Sequence, residues 1–142
     1  MTSFSGSNGV EELGLAQGVS RETRERLTIY CQLLLQWQKR INLIAPSTVD
    51  QVWQRHFADS LQVSDLLEDA SHLIDIGSGG GFPGLVCAII MAEVVTEQGD
   101  RRVDLIESNG KKCAFLNAVI RETGLRKTGL AITVHNARIE HA

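Results

Sequence analysis

The chain has 142 residues, 43% of them hydrophobic and 22% charged, enough for one compact domain and too few for two with separate cores. Its 14 Lys and Arg against 17 Asp and Glu leave a formal net charge of -3, so no overall field draws it to a polyanion and any nucleic-acid contact must come from local clusters. It has no apolar run long enough to span a bilayer and no basic-then-apolar export signal at its start, so a soluble, unexported chain with no membrane partner is expected.

Residues 1–19 are rich in Gly, Ser and short polar side chains and read as a weakly ordered arm. From Ser20, a good N-cap, the positions Leu27, Tyr30, Cys31, Leu34, Leu35, Trp37 and Ile41 recur at helical spacing. Pro46 and Ser47 break that rhythm, and residues 48–69 resume it, which predicts two short helices around Ala58-Asp59-Ser60. Residues 20–70 therefore form a helical region that should pack on a core built by residues 71–142. Cys31, Cys87 and Cys113 are far apart and odd in number, and the four histidines are scattered, so neither disulfides nor a metal site is expected.

A different rhythm begins at His72. His72-Leu73-Ile74-Asp75-Ile76 is a short apolar run entering a glycine cluster, and Pro83 stands where a first helical turn tolerates it before a second apolar stretch. The order then repeats. Arg102 to Glu107 reads as a strand, residues 109–124 as a helix ended by Gly124, and Leu130 to about His135 as a third strand. Such β-α-β-α-β alternation over 71–142 predicts an α/β, doubly wound parallel sheet whose ligand sits beyond the carboxyl ends of its strands.

The segment Asp75-Ile76-Gly77-Ser78-Gly79-Gly80-Gly81-Phe82-Pro83-Gly84 comes directly after the first strand begins its exit from the sheet. Glycines there let the backbone turn sharply and approach a ligand, and the next helix presents its unpaired N–H groups. Gly79 to Gly84 also fit the dinucleotide pattern G-x-G-x-x-G, so a nicotinamide-dependent oxidoreductase stays open on the glycines alone. It would lack a catalytic Tyr-x-x-x-Lys, because Tyr30 is the only tyrosine. Glu107 ends the second strand, where an ionised carboxylate can accept from both hydroxyls of a ribose. Four cationic pairs, Lys39-Arg40, Arg101-Arg102, Lys111-Lys112 and Arg126-Lys127, are candidates for RNA contact or simply solvated faces.

An aspartate two residues before Gly77-Ser78-Gly79-Gly80-Gly81 resembles the acidic-x-GxGxG signature of S-adenosylmethionine enzymes. The blocks LIDIGSGGGFPGLVCAII, VDLIESNGKKCAFLNAVIRETGL and HNARIE, with INLIAPSTVDQVWQRHFADSL upstream, resemble those of the RsmG family, also called GidB, over about residues 25 to 140. That resemblance implies a cytoplasmic, bacterial S-adenosylmethionine-dependent enzyme with a Rossmann-like sheet, which methylates N7 of a guanine in 16S ribosomal RNA or the small ribosomal subunit. It places Gly77 and Phe82 on the cofactor loop; the acidic-x-GxGxG likeness puts Asp75 toward the cationic methionine end, and Gly79 and Gly81, in the same strand-end turn, are expected to line the same pocket. It also places Glu107 on the ribose and Ile139-Glu140 beside the adenine. Arg55-His56 and Asp59-Ser60 match a recurrent motif that names no catalytic residue; Arg55 and Asp59 stand one helical turn apart and could simply pair. Family members continue through further strands, so the chain resembles a C-terminally truncated member carrying the first half of the sheet. A non-catalytic cofactor-binding module is therefore the alternative to a competent enzyme, and the edge at residues 72–77 invites self-association.

Overall fold

A computed structural model describes residues 19–67, 69–93 and 101–138; the arm expected at 1–19, save its last residue, and the Ile139-Glu140 pair lie outside them. Helix α1, Arg21–Gln38, starts where expected, the Ser20 hydroxyl accepting the Thr23 N–H at 3.1 Å. Its buried stripe is Leu27, Tyr30, Cys31 and Leu34. A turn then leads into helical winding of changing pitch: a 3-10 segment at Pro46–Gln51, a π segment at Val52–Phe57, and helix α2 at Ala58–Leu66. The two helices expected around Ala58-Asp59-Ser60 are the π segment and α2, which meet at Ala58 with the backbone helical across the junction. No glycine or proline interrupts residues 47–66, so nothing local ends the path. The winding changes where Val52, Trp53 and Phe57 are all fully buried, with the last two rings stacked 4.3 Å apart.

Strands β1 (His72–Ile76), β2 (Arg102–Glu107) and β3 (Ala131–Asn136) pair in parallel in the order β1-β2-β3. Helix α3, Gly84–Met91, joins the first two, and helix α4, Gly110–Glu122, runs toward the third. Asn109 caps α4 by accepting the N–H groups of Lys111 and Lys112 at 2.9 and 3.1 Å. Gly124 leaves the helix in the left-handed region at φ 65°, as its position predicts. The observed order is the partial Rossmann-like α/β sheet expected from the sequence.

Both crossover helices contact the sheet, and α1 packs across both. Because strand side chains alternate, one face of the sheet takes the burial. Val103 and Leu105 are fully buried there and Ile132 nearly so, whereas Ile74 and Ile76 on the opposite face are 53% and 57% exposed. Asp104 also points to that opposite face, between His72, His135 and Arg102.

Candidate functional site

β1 ends at Ile76, and the chain then turns through three glycines at positive φ, Gly77 (73°), Gly79 (52°) and Gly81 (94°). Their surroundings differ. A Cβ on Gly77 would meet nothing within 4 Å, and one on Gly79 only the Gly77 carbonyl oxygen at 3.9 Å. One on Gly81 would collide with the Tyr30 hydroxyl and come within 2.8 Å of a Leu85 methyl. One on Gly84 would strike the Asp75 carboxylate and approach Leu105 at 2.6 Å. Gly77 and Gly79 thus face open space that a ligand can enter, while Gly81 and Gly84 let the loop seat against the protein's own interior.

Two carboxylates flank this loop. Glu107, nearly buried, accepts the Gly79 N–H on one oxygen at 2.8 Å and the Asn109 N–H on the other at 2.9 Å. Asp75 accepts the Gly84 N–H at 3.0 Å, so it caps the start of α3. Burial pushes the Asp75 carboxyl above its usual range; hydrogen bonds from Gly84 and Ser78 pull it partly back, and the charge of Glu107 adds to the rise. Neither acid has a Lys, Arg or His nitrogen within 4 Å among the described residues. The loop therefore carries negative charge with no internal cation against it.

The N-terminal helices hold the loop in place. The Tyr30 hydroxyl, on α1, donates to the Gly80 carbonyl at 2.6 Å, and burial, with the nearby Asp75 charge, pushes its pKa well above the usual value. Its ring stacks on Phe82 at 5.4 Å and 17°, and Phe57 meets both rings edge-on at 5.1 Å. Phe82, half-buried, belongs to this aromatic cluster as much as to the loop. Neither Tyr30 nor Asn109 was singled out from the sequence as part of the site. A lone tyrosine on the apolar stripe of a helix needs a partner for its hydroxyl, and that was the signal available.

Arg55, His56, Asp59 and Ser60 line a cleft of about 250 Å³ with Phe82 and Pro83, beside the loop. His56 shares a hydrogen bond with the Thr48 hydroxyl at 2.9 Å, and burial lowers its pKa. Arg55 and Asp59 form no ion pair within 4 Å, so the simple pairing that was one reading of them is absent. Among the described residues no group of three His, Cys, Asp or Glu side chains could hold a metal ion, and no helix is long and apolar enough to cross a membrane.

A family model described as rRNA small subunit methyltransferase G matches residues 23–142. The ribosomal RNA small subunit methyltransferase G of Rhizobium rhizogenes is 50% identical over 124 residues, covering 87% of this chain and 56% of that protein. Its namesake in Paramagnetospirillum magneticum is 48% identical over 133 residues, covering 93% and 58%, and that of Rhodopseudomonas palustris is 54% identical over 106 residues, covering 75% and 44%. The chain thus spans about half the length of the curated relatives it matches. With the glycine loop, the strand-end glutamate and the parallel sheet all within the matched residues, the chain belongs to the GidB family, rRNA small subunit methyltransferase G.

Proposed function

We propose that the loop at 77–81 binds S-adenosylmethionine, and that the chain belongs to a cytoplasmic enzyme transferring its methyl group to N7 of a guanine in 16S ribosomal RNA. The carrying observation is the pair of acids without cationic partners, Asp75 and Glu107, beside glycines that leave open space. The residues present fit the group. Glu107 uses one acceptor position per oxygen and keeps others for a ribose diol, and the two negative charges suit a ligand with cationic sulfonium and ammonium centres. When bound, S-adenosylmethionine supplies an electrophilic methyl group. Guanine N7 offers a lone pair, so no proton has to be removed at that atom before attack. What remains for the protein is orientation, which by itself can contribute on the order of 7–11 kcal/mol to lowering a barrier. Glu107 would fix the ribose, Asp75 would face the cationic end, and Phe82 with Arg55 and His56 would border the acceptor side.

Isothermal titration of the chain with S-adenosylmethionine, S-adenosylhomocysteine and NAD tests the reading. Binding of the first two and not of NAD is the expected result. Glu107→Ala should weaken them by about 1.5–3 kcal/mol, the scale of a charge-assisted hydrogen bond, while Glu107→Gln, which keeps one acceptor oxygen, should lose less. Preference for NAD, or unchanged affinity in a folded Glu107→Ala chain, would overturn it.

A further inference from the structure

The fold separates the four cationic pairs of the sequence. Arg102 is held by Asp104 at 2.9 Å, Arg101 is buried, and Arg126 donates to the Ile132 carbonyl at 3.2 Å, all near the amino ends of the strands. Lys39 and Arg40, just past the end of α1, converge instead with Lys111 in the first turn of α4. With Trp37 and Ile41 they line one groove of about 630 Å³. All three cations are exposed, and none has an Asp or Glu oxygen within 4 Å among the described residues.

Lysines in the first turn of a helix oppose its dipole, and α4 has no acidic residue there to offset Lys111 and Lys112. The arrangement works against stability until an anion neutralises it. The groove is also built. The Gln38 side chain accepts from the Leu43 and Ile44 N–H groups at 2.9 and 3.1 Å, closing the turn that carries Lys39 and Arg40, and Trp37 stands edge-on to Phe115 at 5.6 Å. Trp37 remains half-exposed. Both walls lead to the glycine loop: Gly80 packs against the Leu43 carbonyl, and Asn109, the cap of α4, donates to Glu107.

We infer that this groove holds the phosphodiester backbone of a single-stranded RNA segment next to the cofactor loop, with Trp37 available to stack an unpaired base. Three unpaired cations match phosphates, and the half-exposed indole favours an unstacked nucleic acid over an acidic protein segment. In a chain of net charge -3 such a patch is a local exception to the overall field. The choice of RNA as the polymer rests on the methyltransferase reading.

The test is fluorescence anisotropy of the full chain with a labelled, guanine-containing single-stranded RNA at several salt concentrations, alongside titration with S-adenosylhomocysteine. The variants are Lys39→Glu/Arg40→Glu/Lys111→Glu, a milder triple change of the same residues to Gln, and Lys127→Glu at the opposite end of the sheet. Charge reversal should weaken RNA binding at least tenfold, with Lys127→Glu unchanged. The milder triple change should make the salt dependence shallower by about 2, from roughly 0.7 per lost phosphate contact. A parent chain that does not bind the RNA, triple variants that bind it as the parent does, or polyglutamate that competes as well as RNA would each overturn the groove. If RNA binding falls as expected while no chain binds S-adenosylhomocysteine, the groove stands and the cofactor reading fails. The reverse result removes the groove and leaves the cofactor site.

Discussion

The two faces of the sheet treat a carboxylate in opposite ways. On the open face Asp104 takes hydrogen bonds from His72 and His135, each at 2.7 Å, and from Arg102 at 2.9 Å. Burial alone would raise its pKa, but Arg102, His135 and His72 together outweigh that and hold it well below the usual range. On the helix-covered face Asp75 meets backbone N–H and hydroxyl groups and a second acid, and its pKa rises. Asp75 and Asp104 stand on neighbouring strands of one sheet, and alternation puts them on opposite faces with different partners. A carboxylate ringed by cations and imidazoles is complete as it stands; one held only by neutral donors is ready for a cationic ligand.

Substitutions on either face put this contrast to the test. The largest effect should come from the packing beneath the covered face. Leu105→Ala, at a fully buried position between the two kinds of acid, should cost about 2–5 kcal/mol in a denaturant melt. Next comes Asp75→Asn, which keeps an acceptor for Gly84 but removes the charge. S-adenosylmethionine binding should weaken by on the order of 1 kcal/mol. A cationic ligand favours the ionised acid, so binding to the parent should also fall as pH drops through the raised pKa of Asp75, and this dependence should vanish in the variant. Equal pH profiles in titration calorimetry would remove the functional half of the contrast.

For Asp104 the sign is the other one. Its folded pKa lies below the ordinary value of 3.8, so its contribution is fully present above that pH and is lost as pH falls below it. Asp104→Asn should lower stability near neutral pH by on the order of 1 kcal/mol, flatten the acid limb of a pH-dependent melt, and leave ligand binding unchanged. The smallest effect belongs to the exposed apolar residues of the open face: Ile74→Thr with Ile76→Thr should shift the melt by no more than about 0.5 kcal/mol each and make sedimentation less dependent on concentration.

How much of the molecule was legible in its sequence depends on the range of the interactions. Ser20 as a cap, the strands at 72–76 and 102–107, Gly124 as a helix stop and Glu107 at a strand end are local signals, readable from a few neighbours. The changing pitch at 46–57 was not legible, because a period of 3.6 does not register π or 3-10 winding. Nor was the division among the glycines. Gly81 is required by Tyr30, some fifty residues earlier, and no spacing rule connects them. Whether Arg101-Arg102 was an RNA contact or a solvated pair stayed open, because the acid that holds Arg102, Asp104, shares a face with it only once the strand has formed.

The grip of Glu107 on the Gly79 and Asn109 amides has a further consequence. These hydrogen bonds come from the chain's own groups, so the conformational entropy they fix in the loop belongs to folding and is not deducted from affinity. A ribose bound there, as proposed, would share a carboxylate already held in place by Gly79 and Asn109. The Gly79 amide proton, held against a nearly buried acid, should exchange with solvent slowly, and a change in its rate on adding S-adenosylhomocysteine would report from inside the loop whether the carboxylate gains a second set of partners.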